Sequence, residues 1–306
     1  MPGRGARMGA LEQVLLGGES VSEQVTVHAP ILESVRMAAN AAAQRFLALH
    51  QGERPLLLPN PWDVGSAKLL ESLGFEALAT TSSGFAATLG RLDGSVTRDE
   101  ALAHSAAIVG ATELPVSADL ENGFADEPDG VAQTVRLALD AGLAGCSIED
   151  YSGREDEPIY PLELAAERVA AAAEAAHGGP GRLVLTARSE NYFHSRRDLA
   201  DTIARLEAFQ EAGADVLYAP GIRSAEDIRS VVQSVDLPVN VLAIPGVPPV
   251  PELAELGVRR VSVGGGFAFV AIGALVAAGR ELLDEGTYGF WETARPGATA
   301  AHETFG

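Results

Sequence analysis

The sequence predicts an α/β fold of the (β/α)8 TIM-type barrel, and three observations carry that prediction. Eight short β-rich apolar runs alternate with longer stretches rich in Ala, Leu and Glu, the order in which barrel strands and their covering helices follow one another. Most of these runs are apolar at nearly every position, as strands covered on both faces read. A faint repeat of two βα units is also present. The even-numbered strands are entered through helix ends marked by Gly, in ESLGFEALATT, LDAGLAGCSIE, QEAGADVLYAP and AELGVRRVSVG. Gly74, Gly142 and Gly213 stand 68 and 71 residues apart, about the length of two units, and Gly after a helix accepts the left-handed turn into the next strand. An open doubly wound sheet also alternates β and α but has no reason to repeat in pairs.

The elements follow in order. Residues 1–36 open on a Gly/Arg stretch without periodicity and read as a peripheral extension, with Met37 an alternative natural start. From Met37 the text MAANAAAQRFLALH is a strong helix former with Phe46, Leu47 and Leu49 for one face. The strands are then expected at 55–60, 77–83, 115–121, 145–150, 183–189, 216–220, 238–243 and 259–265. Two odd strands, the third and the seventh, are entered through Leu-Pro-Val. The barrel domain is expected over 37–286 and a C-terminal tail over 287–306. A single-domain α/β barrel takes roughly 200–250 residues, so 306 residues suit a barrel with an appendage.

Composition narrows the chemistry. With 22 basic and 42 acidic side chains the formal net charge is −20, which opposes nucleic acid or an anionic membrane as partner. A small anionic substrate stays open, because a local Mg²⁺ or Arg reverses the field inside a cleft. Cys146 is the only cysteine, so neither an internal disulfide nor a cysteine-based zinc cage is available. Lys68 is the only lysine, which confines any Schiff-base chemistry to that position. No uninterrupted apolar run reaches a membrane span of about 18–20 residues, and a soluble cytoplasmic protein is expected.

In such a barrel the catalytic groups lie at the C-terminal ends of the strands. Those ends carry Asn60 and Asp63, Ser82 and Ser83, Asp119 and Glu121, Glu149 and Asp150, Arg188 and Glu190, and Asn240. Asp119 and Glu121, at i and i+2, are expected on one side of strand three, with Glu149 on the neighbouring strand. Carboxylates converging on one mouth repel unless a cation lies among them. An all-oxygen set without His or Cys suits Mg²⁺, or Mn²⁺, and not zinc. Arg188 is placed to clamp a substrate carboxylate or to pair with Glu190 or Glu149. Gly84, after Ser82 and Ser83, would let backbone N–H groups approach an anion. Gly264–Gly266 read either as a phosphate cradle or as close packing. Cys146 is expected in the core, His50, His104 and His177 at the surface, and His194 near the mouth.

The text resembles the isocitrate lyase / phosphoenolpyruvate mutase superfamily, in its small single-barrel branch, from about residue 37 to 286. The resemblance is carried by Pro59-Asn60-Pro61-Trp62-Asp63 with Ser66-Ala67, by Ser82-Ser83-Gly84, and by Ala87-Thr88-Leu89-Gly90 with Asp93. Residues 117–124, SADLENGF, resemble the metal segment, Ile148-Glu149-Asp150 the next metal strand, and Ala187-Arg188 the substrate arginine strand. It implies Asp119 as the nearest Mg²⁺ ligand, with Glu121 and Glu149 acting through metal-bound waters and Asp93 nearby. It further implies Ser83, Gly84 and Phe85 around the substrate carboxylate or oxyanion, with Arg188 pairing to it. Members work next to a 2-oxo or 2-hydroxy acid through a Mg²⁺-stabilised enolate. They form dimers or tetramers that exchange a C-terminal helix, here about 267–283, so a homodimer or homotetramer is expected.

One segment departs from the family. Isocitrate and methylisocitrate lyases carry Lys-Lys/Arg-Cys-Gly-His after strand four, where this chain reads YSGREDEPIY over 151–160. The proton donor of those lyases is absent, as is the loop lysine of phosphonopyruvate enzymes. The leading expectation is a Mg²⁺-dependent lyase or decarboxylase acting on a small 2-oxo or 2-hydroxy (di)carboxylate. Asp119, Glu121 and Glu149 are its metal residues. Arg188, Asp93, Glu190 and Tyr151 are its catalytic candidates. Ser83, Gly84, Phe85, Asn60, Asp63 and Asn240 are its substrate-binding candidates. Tyr151, Tyr160 and His194 are the candidate proton donors of the loops. The alternatives are P–C bond chemistry and a non-catalytic carboxylate-binding barrel.

Overall fold

The computed structural model describes the backbone of residues 29–306 apart from Pro180, and side chains from residue 39 onward. Most of the expected 1–36 extension lies outside the described residues. Helix α1 (Ala29–Leu49) runs through position 37 without a break. Eight strands follow: β1 (Leu56–Leu58), β2 (Leu78–Ala79), β3 (Val116–Asp119), β4 (Gly145–Glu149), β5 (Val184–Arg188), β6 (Val216–Tyr218), β7 (Val239–Leu242) and β8 (Arg260–Ser262). All observed pairings are parallel, in the order β1-β8-β7-β6-β5-β4-β3-β2. The seam between β1 and β2 is tied by Ala79 N–H donating to Pro59 O at 3.1 Å and by Asn60 Nδ2 donating to Thr80 O at 2.9 Å. The sheet is thus a nearly closed (β/α)8 barrel.

The covering helices are α2 (Val64–Ser72), α3 (Ser82–Thr88), α4 (Arg98–Val109), α5 (Pro128–Asp140), α6 (Leu162–His177), α7 (Leu199–Glu211), α8 (Ala225–Ser234) and α9 (Val250–Glu255). Two more, α10 (Gly266–Asp284) and α11 (Trp291–Phe305), complete the chain. The expected tail is therefore largely helical. Side-chain caps open several of these helices; Asp63 accepts from Ser66 N at α2 and Thr97 from Glu100 N at α4, each within a capping box. Strand two is shorter than expected, because Thr81 caps α3 and turns Ser82 and Ser83 into its first residues.

The main apolar core lies between strands and helices, with Cys146, Ile148, Leu185, Leu217 and Phe209 among its fully covered members. Helix α1 closes the N-terminal end of the barrel. Its Phe46 and Ala43 pack with Leu56, Ala77, Ala144, Val184 and Val216 at the strand starts. The approach is close enough to need glycine at 145, where a Cβ would stand 2.8 Å from both Phe46 and Val184 O.

The barrel interior is polar, which the near-continuous apolar reading of the strands did not foresee. Arg260 lies within it, 4% exposed. Its Nε donates to Asn240 Oδ1 at 2.9 Å and its Nη1 to Thr186 Oγ1 at 3.0 Å, with His50 Nε2 at 3.4 Å. His50 is buried, contrary to the surface expectation, because the end of α1 is folded under the barrel. Its Nδ1 lies 2.8 Å from Phe46 O, so the tautomer that donates there leaves Nε2 to accept from Arg260. Burial, reinforced by Arg260, lowers the imidazole to about 3. Above pH 6.5 the group is neutral whether folded or unfolded. Below it the unfolded chain takes a proton that the folded chain refuses until about pH 3. Stability should therefore fall with acidification by as much as about 1.4 kcal/mol per pH unit from this group. Urea unfolding at pH 7 and 4.5 should show a shallower loss for His50→Gln than for wild type; an equal loss would refute this account.

Candidate active site

The C-terminal ends of β3, β4 and β5 bring one guanidinium among several carboxylates. Parallel register sets Glu149 opposite Arg188, and Asp119 beside Ser147. Arg188 Nη1 donates to Asp119 Oδ1 at 3.0 Å, and Nε and Nη2 donate to Glu190 Oε1 at 3.0 and 2.7 Å. Nη2 also lies 3.1 Å from Glu149 Oε2. Arg188 is 14% exposed and Glu190 3%, so this is a desolvated cluster in which charge–charge forces are strong. The carboxylates hold Arg188 well above its usual range, with Glu190 acting most strongly, although burial opposes them. Burial also pushes the Glu149 carboxyl well up, against the attraction of Arg188.

Asp119 is held from three sides. Its N–H donates to Thr80 Oγ1 at 2.9 Å, Ser82 N–H donates to its Oδ2 at 3.2 Å, and Ser147 lies 3.5 Å from Oδ1. Glu121 is not on the strand with it, contrary to the i, i+2 expectation, because β3 ends at Asp119. Glu121 sits in a left-handed turn at φ 47°, backbone strain of a kind that gathers at functional sites. It still belongs to the cluster electrostatically. Burial, then Asp119 and Asp93, raise its carboxyl to about 8. Asp93 reaches in from the loop after α3. The residue as a whole is exposed, yet its carboxyl end is crowded enough for burial to raise it, while the Ser82 hydroxyl bonds to it.

The remaining candidates surround this centre in different ways. Gly84 leaves no room for a side chain, since a Cβ would stand 2.6 Å from Thr81 Cγ2 and 3.2 Å from Trp62 and Ala268. Its N–H donates to Thr81 Oγ1 and that of Phe85 to Thr81 O, as the start of a capped helix requires. Ser83 Oγ lies 3.2 Å from Thr81 Oγ1. Phe85 stacks on His104 at 3.8 Å, and His104 Nε2 lies 3.0 Å from Trp62 O. His104 is therefore half-buried beneath a candidate binding residue, not at the surface as expected. His177 is also partly covered and bonds to Asp215 at 2.8 Å, tying α6 to the start of β6.

Asn60 accepts from Val263 N and Gly264 N at 3.0 and 2.9 Å, so its amide ties β1 to β2 and to the loop after β8. Asp63 is exposed and caps α2. Asn240 lies inside the barrel, donating to Ser262 Oγ at 2.9 Å while it accepts from Arg260. Tyr151 stacks on His194 with ring centroids 3.8 Å apart. Gly264 has φ 54°, and a Cβ on Gly265 would stand 2.6 Å from Ser83 Oγ, which favours close packing over the phosphate-cradle reading.

Behind the cluster, sequence reasoning named Asp150 only as a strand-end residue and missed Tyr218 and Arg205. Tyr218 lies under Arg188, whose guanidinium carbon is 5.2 Å from the ring centre. Asp150 Oδ1 accepts from Glu190 N at 2.7 Å, and its Oδ2 pairs at 3.0 Å with buried Arg205 of α7. Arg205 also pairs with Asp201 at 2.8 Å and donates to Tyr160 O at 2.9 Å. Tyr218 could have been flagged by its place at the end of β6, whereas nothing local marks Arg205 on α7.

A barrel whose strand ends gather carboxylates around a buried arginine has the layout of an enzyme active site of the (β/α)8 class. The chain belongs to the phosphoenolpyruvate phosphomutase family, whose sequence profile matches residues 46–283, within the isocitrate lyase / PEP mutase superfamily. It is 35% identical over 221 residues to an uncharacterized protein of Mycobacterium tuberculosis, covering 72% of this chain and 81% of that one. It is 29% identical over 211 residues to the 2-methylisocitrate lyase of Escherichia coli, covering 66% and 70%. A crystal structure of a candidate lyase/mutase from Burkholderia cenocepacia matches with a TM-score of 0.84 and 51% identity, covering 87% and 96%.

Proposed function

We propose that this enzyme is a divalent-metal-dependent carbon–carbon lyase or decarboxylase. Its substrate would be a small 2-oxo or 2-hydroxy (di)carboxylate, cleaved through an enolate. The observation that carries the reading is the Arg188 cluster. One buried guanidinium touches Asp119, Glu149 and Glu190, with Glu121 and Asp93 crowding the same mouth. Family membership and the lyase relative support it.

The donor set fits Mg²⁺ chemically. All the groups are hard oxygens, and Glu121, raised to about 8 by burial and then by Asp119 and Asp93, is a carboxyl whose charged form a cation would favour. Among the described residues no three Asp, Glu, His or Cys side chains converge closely enough to ligate one ion directly. That suits an ion which keeps several waters and takes one or two carboxylates: Asp119 directly, with Glu121 and Glu149 through water. A bound Mg²⁺ would supply positive charge to the oxygens of a 2-oxo acid as the enolate forms. The chain's own groups do the rest. Arg188 binds and orients a substrate carboxylate, Glu190 and Tyr218 hold Arg188 in place, and Ser83, Gly84 and Phe85, at the start of α3, would bind the substrate's other oxygens. The loop 151–160 borders the mouth, its ends joined by the Tyr151–Ile159 bridge.

Phosphonate chemistry is less well supported. Arg154, the one cation of that loop, is engaged by Asp126 at 3.5 Å and Glu157 at 3.8 Å, and lies over Tyr160. A proton-NMR screen with Mg²⁺ against oxaloacetate, 2-alkylmalates, methylisocitrate and phosphonopyruvate should give EDTA-sensitive pyruvate from a carboxylate substrate. Phosphate release from phosphonopyruvate alone, or silence across the panel, would overturn the reading.

The working form in this reading is a cytoplasmic homodimer or homotetramer. Helix α10 is long and apolar enough, by length and composition, to cross a bilayer. This corrects the expectation that no segment could, since a few charges do not lower the mean hydropathy enough. A second copy is the better cover, because α10 follows β8 within three residues and its Ala268 is packed at the barrel rim. Its Phe269, Val270, Leu275 and Leu283 are 52–86% exposed in the single chain, an apolar patch of the kind that marks an interface. Light scattering after size exclusion should give a dimer or tetramer without detergent, and Leu275→Glu should release monomer. A monomeric wild type would refute this.

A further inference from the structure

Three side chains near the mouth could hand a proton to a substrate: Tyr151, Tyr160 and His194. The structure separates their roles. Tyr160 is 1% exposed, its hydroxyl donates to Asp126 Oδ1, and its ring is covered by Arg168 at 4.2 Å. Arg168 in turn donates to the carbonyls of Asn122, Ala125 and Asp126. Tyr160 is therefore built into the joint between the loops after β3 and β4, and its proton is committed there.

Tyr151 and His194 come from different loops, after β4 and after β5, and meet face to face with an interplanar angle of 10°. His194 Nε2 stands 3.9 Å from Glu190 Oε2, while the other oxygen of Glu190 accepts from Arg188. The imidazole is 27% exposed where Glu190 is 3%. The ring thus lies where the buried cluster meets solvent, with its plane set by Tyr151.

We propose that His194 is the proton-transfer residue of this site, carrying a proton between solvent and the substrate carbon next to the carbonyl. The proposal rests on the lyase reading above. In the protonating direction, the N–H bond of the imidazolium breaks and its proton goes to the enolate carbon. The electron pair of the enolate double bond forms the new C–H bond, and the enolate oxygen returns to a carbonyl. The neutral ring then regains a proton from water at its exposed edge. In the reverse direction the neutral ring takes a proton from the carbon and the enolate forms. The charged groups facing the ring are Glu190, which favours its protonated form, and Arg188, which opposes it; burial, together with Arg188, outweighs Glu190 and lowers the imidazole below its ordinary value. An imidazole can give a proton in one direction and take one in the other, and its exposed edge keeps it in exchange with water. Its place after β5 also supplies what the loop after β4 lacks, since 151–160 contains no Cys, His or Lys.

The test uses pyruvate as probe. In D₂O with Mg²⁺, the wild type should exchange the methyl protons of pyruvate, read by proton NMR. His194→Ala should slow the exchange at least about 100-fold, with an unchanged thermal midpoint, and added imidazole should restore part of it. Separately, the titration midpoint of the His194 ring should lie below 6.5 and move lower in Glu190→Gln, because an opposing charge is lost. Exchange in His194→Ala as fast as wild type, or a loss that imidazole does not rescue, would overturn the proposal. So would a midpoint that Glu190→Gln leaves unmoved. A wild type inert toward pyruvate and toward the whole substrate panel would instead sink the lyase reading, and this role with it.

Discussion

Arg188→Met should be the most damaging single substitution in the barrel. The wild-type guanidinium touches three carboxylates, and methionine leaves Glu149 and Glu190, both buried, without a cation. Removing one partner of a buried pair costs about 3–5 kcal/mol, because the other charge stays desolvated. The sign of the pH dependence follows from the remaining acids. Glu149 and Glu121 are already raised by burial, and losing Arg188 raises them further, so the variant should lose stability as pH rises and recover as it falls. Urea unfolding at pH 8 and at pH 5.5 would measure this. Turnover should be lost even at pH 5.5, where the fold recovers, since the carboxylate clamp is absent. A variant equally stable at both pH values would mean that the cluster is compensated elsewhere.

Asp119→Asn should give the second-largest effect, on metal-dependent chemistry with little change in fold. The amide keeps the shape and an oxygen able to accept from Ser82 N or Arg188, but the charge is gone. Loss of groups that only support a metal's ligands typically costs 10–100-fold in affinity or activity, and a direct ligand should cost more. Mn²⁺ affinity read by calorimetry and turnover on the active substrate should both fall at least about 100-fold, with the thermal midpoint of the metal-free protein close to wild type. Full Mn²⁺ affinity in this variant would remove Asp119 from the metal site.

Much of this arrangement is legible in the sequence, and particular residues show why. The strand ends could be located because apolar runs stop at polar residues, so Asp119, Glu149 and Arg188 could be assigned to one end of one barrel. Strand periodicity places Glu121 beside Asp119, but β3 ends at Asp119, and Glu121 comes near the cluster through a left-handed turn instead. Asn240 was legible as polar in a strand, but its depth was not. It lies inside the barrel, bonded to Arg260 and Ser262. His50 and His104 sit on helices whose exposed face looks the same in sequence as a covered one. What covers them is the barrel floor in one case and Phe85 in the other.

The sequence by itself determined the eight strands, their order and the barrel class, while the helix over 291–305 and the early end of strand two were not read from it. Periodicity, Gly-marked helix ends and polar strand ends are local signals, readable within a dozen residues. Only the tertiary structure decided which charges meet. Asp119, Glu149 and Arg188 are separated by 30 and 39 residues, and parallel register alone brings them within 3.0–3.1 Å. The same holds for Tyr151 against His194 and for Arg260 against His50. Contact between distant segments depends on how the closed sheet twists and staggers its strands, and no local pattern encodes that angle.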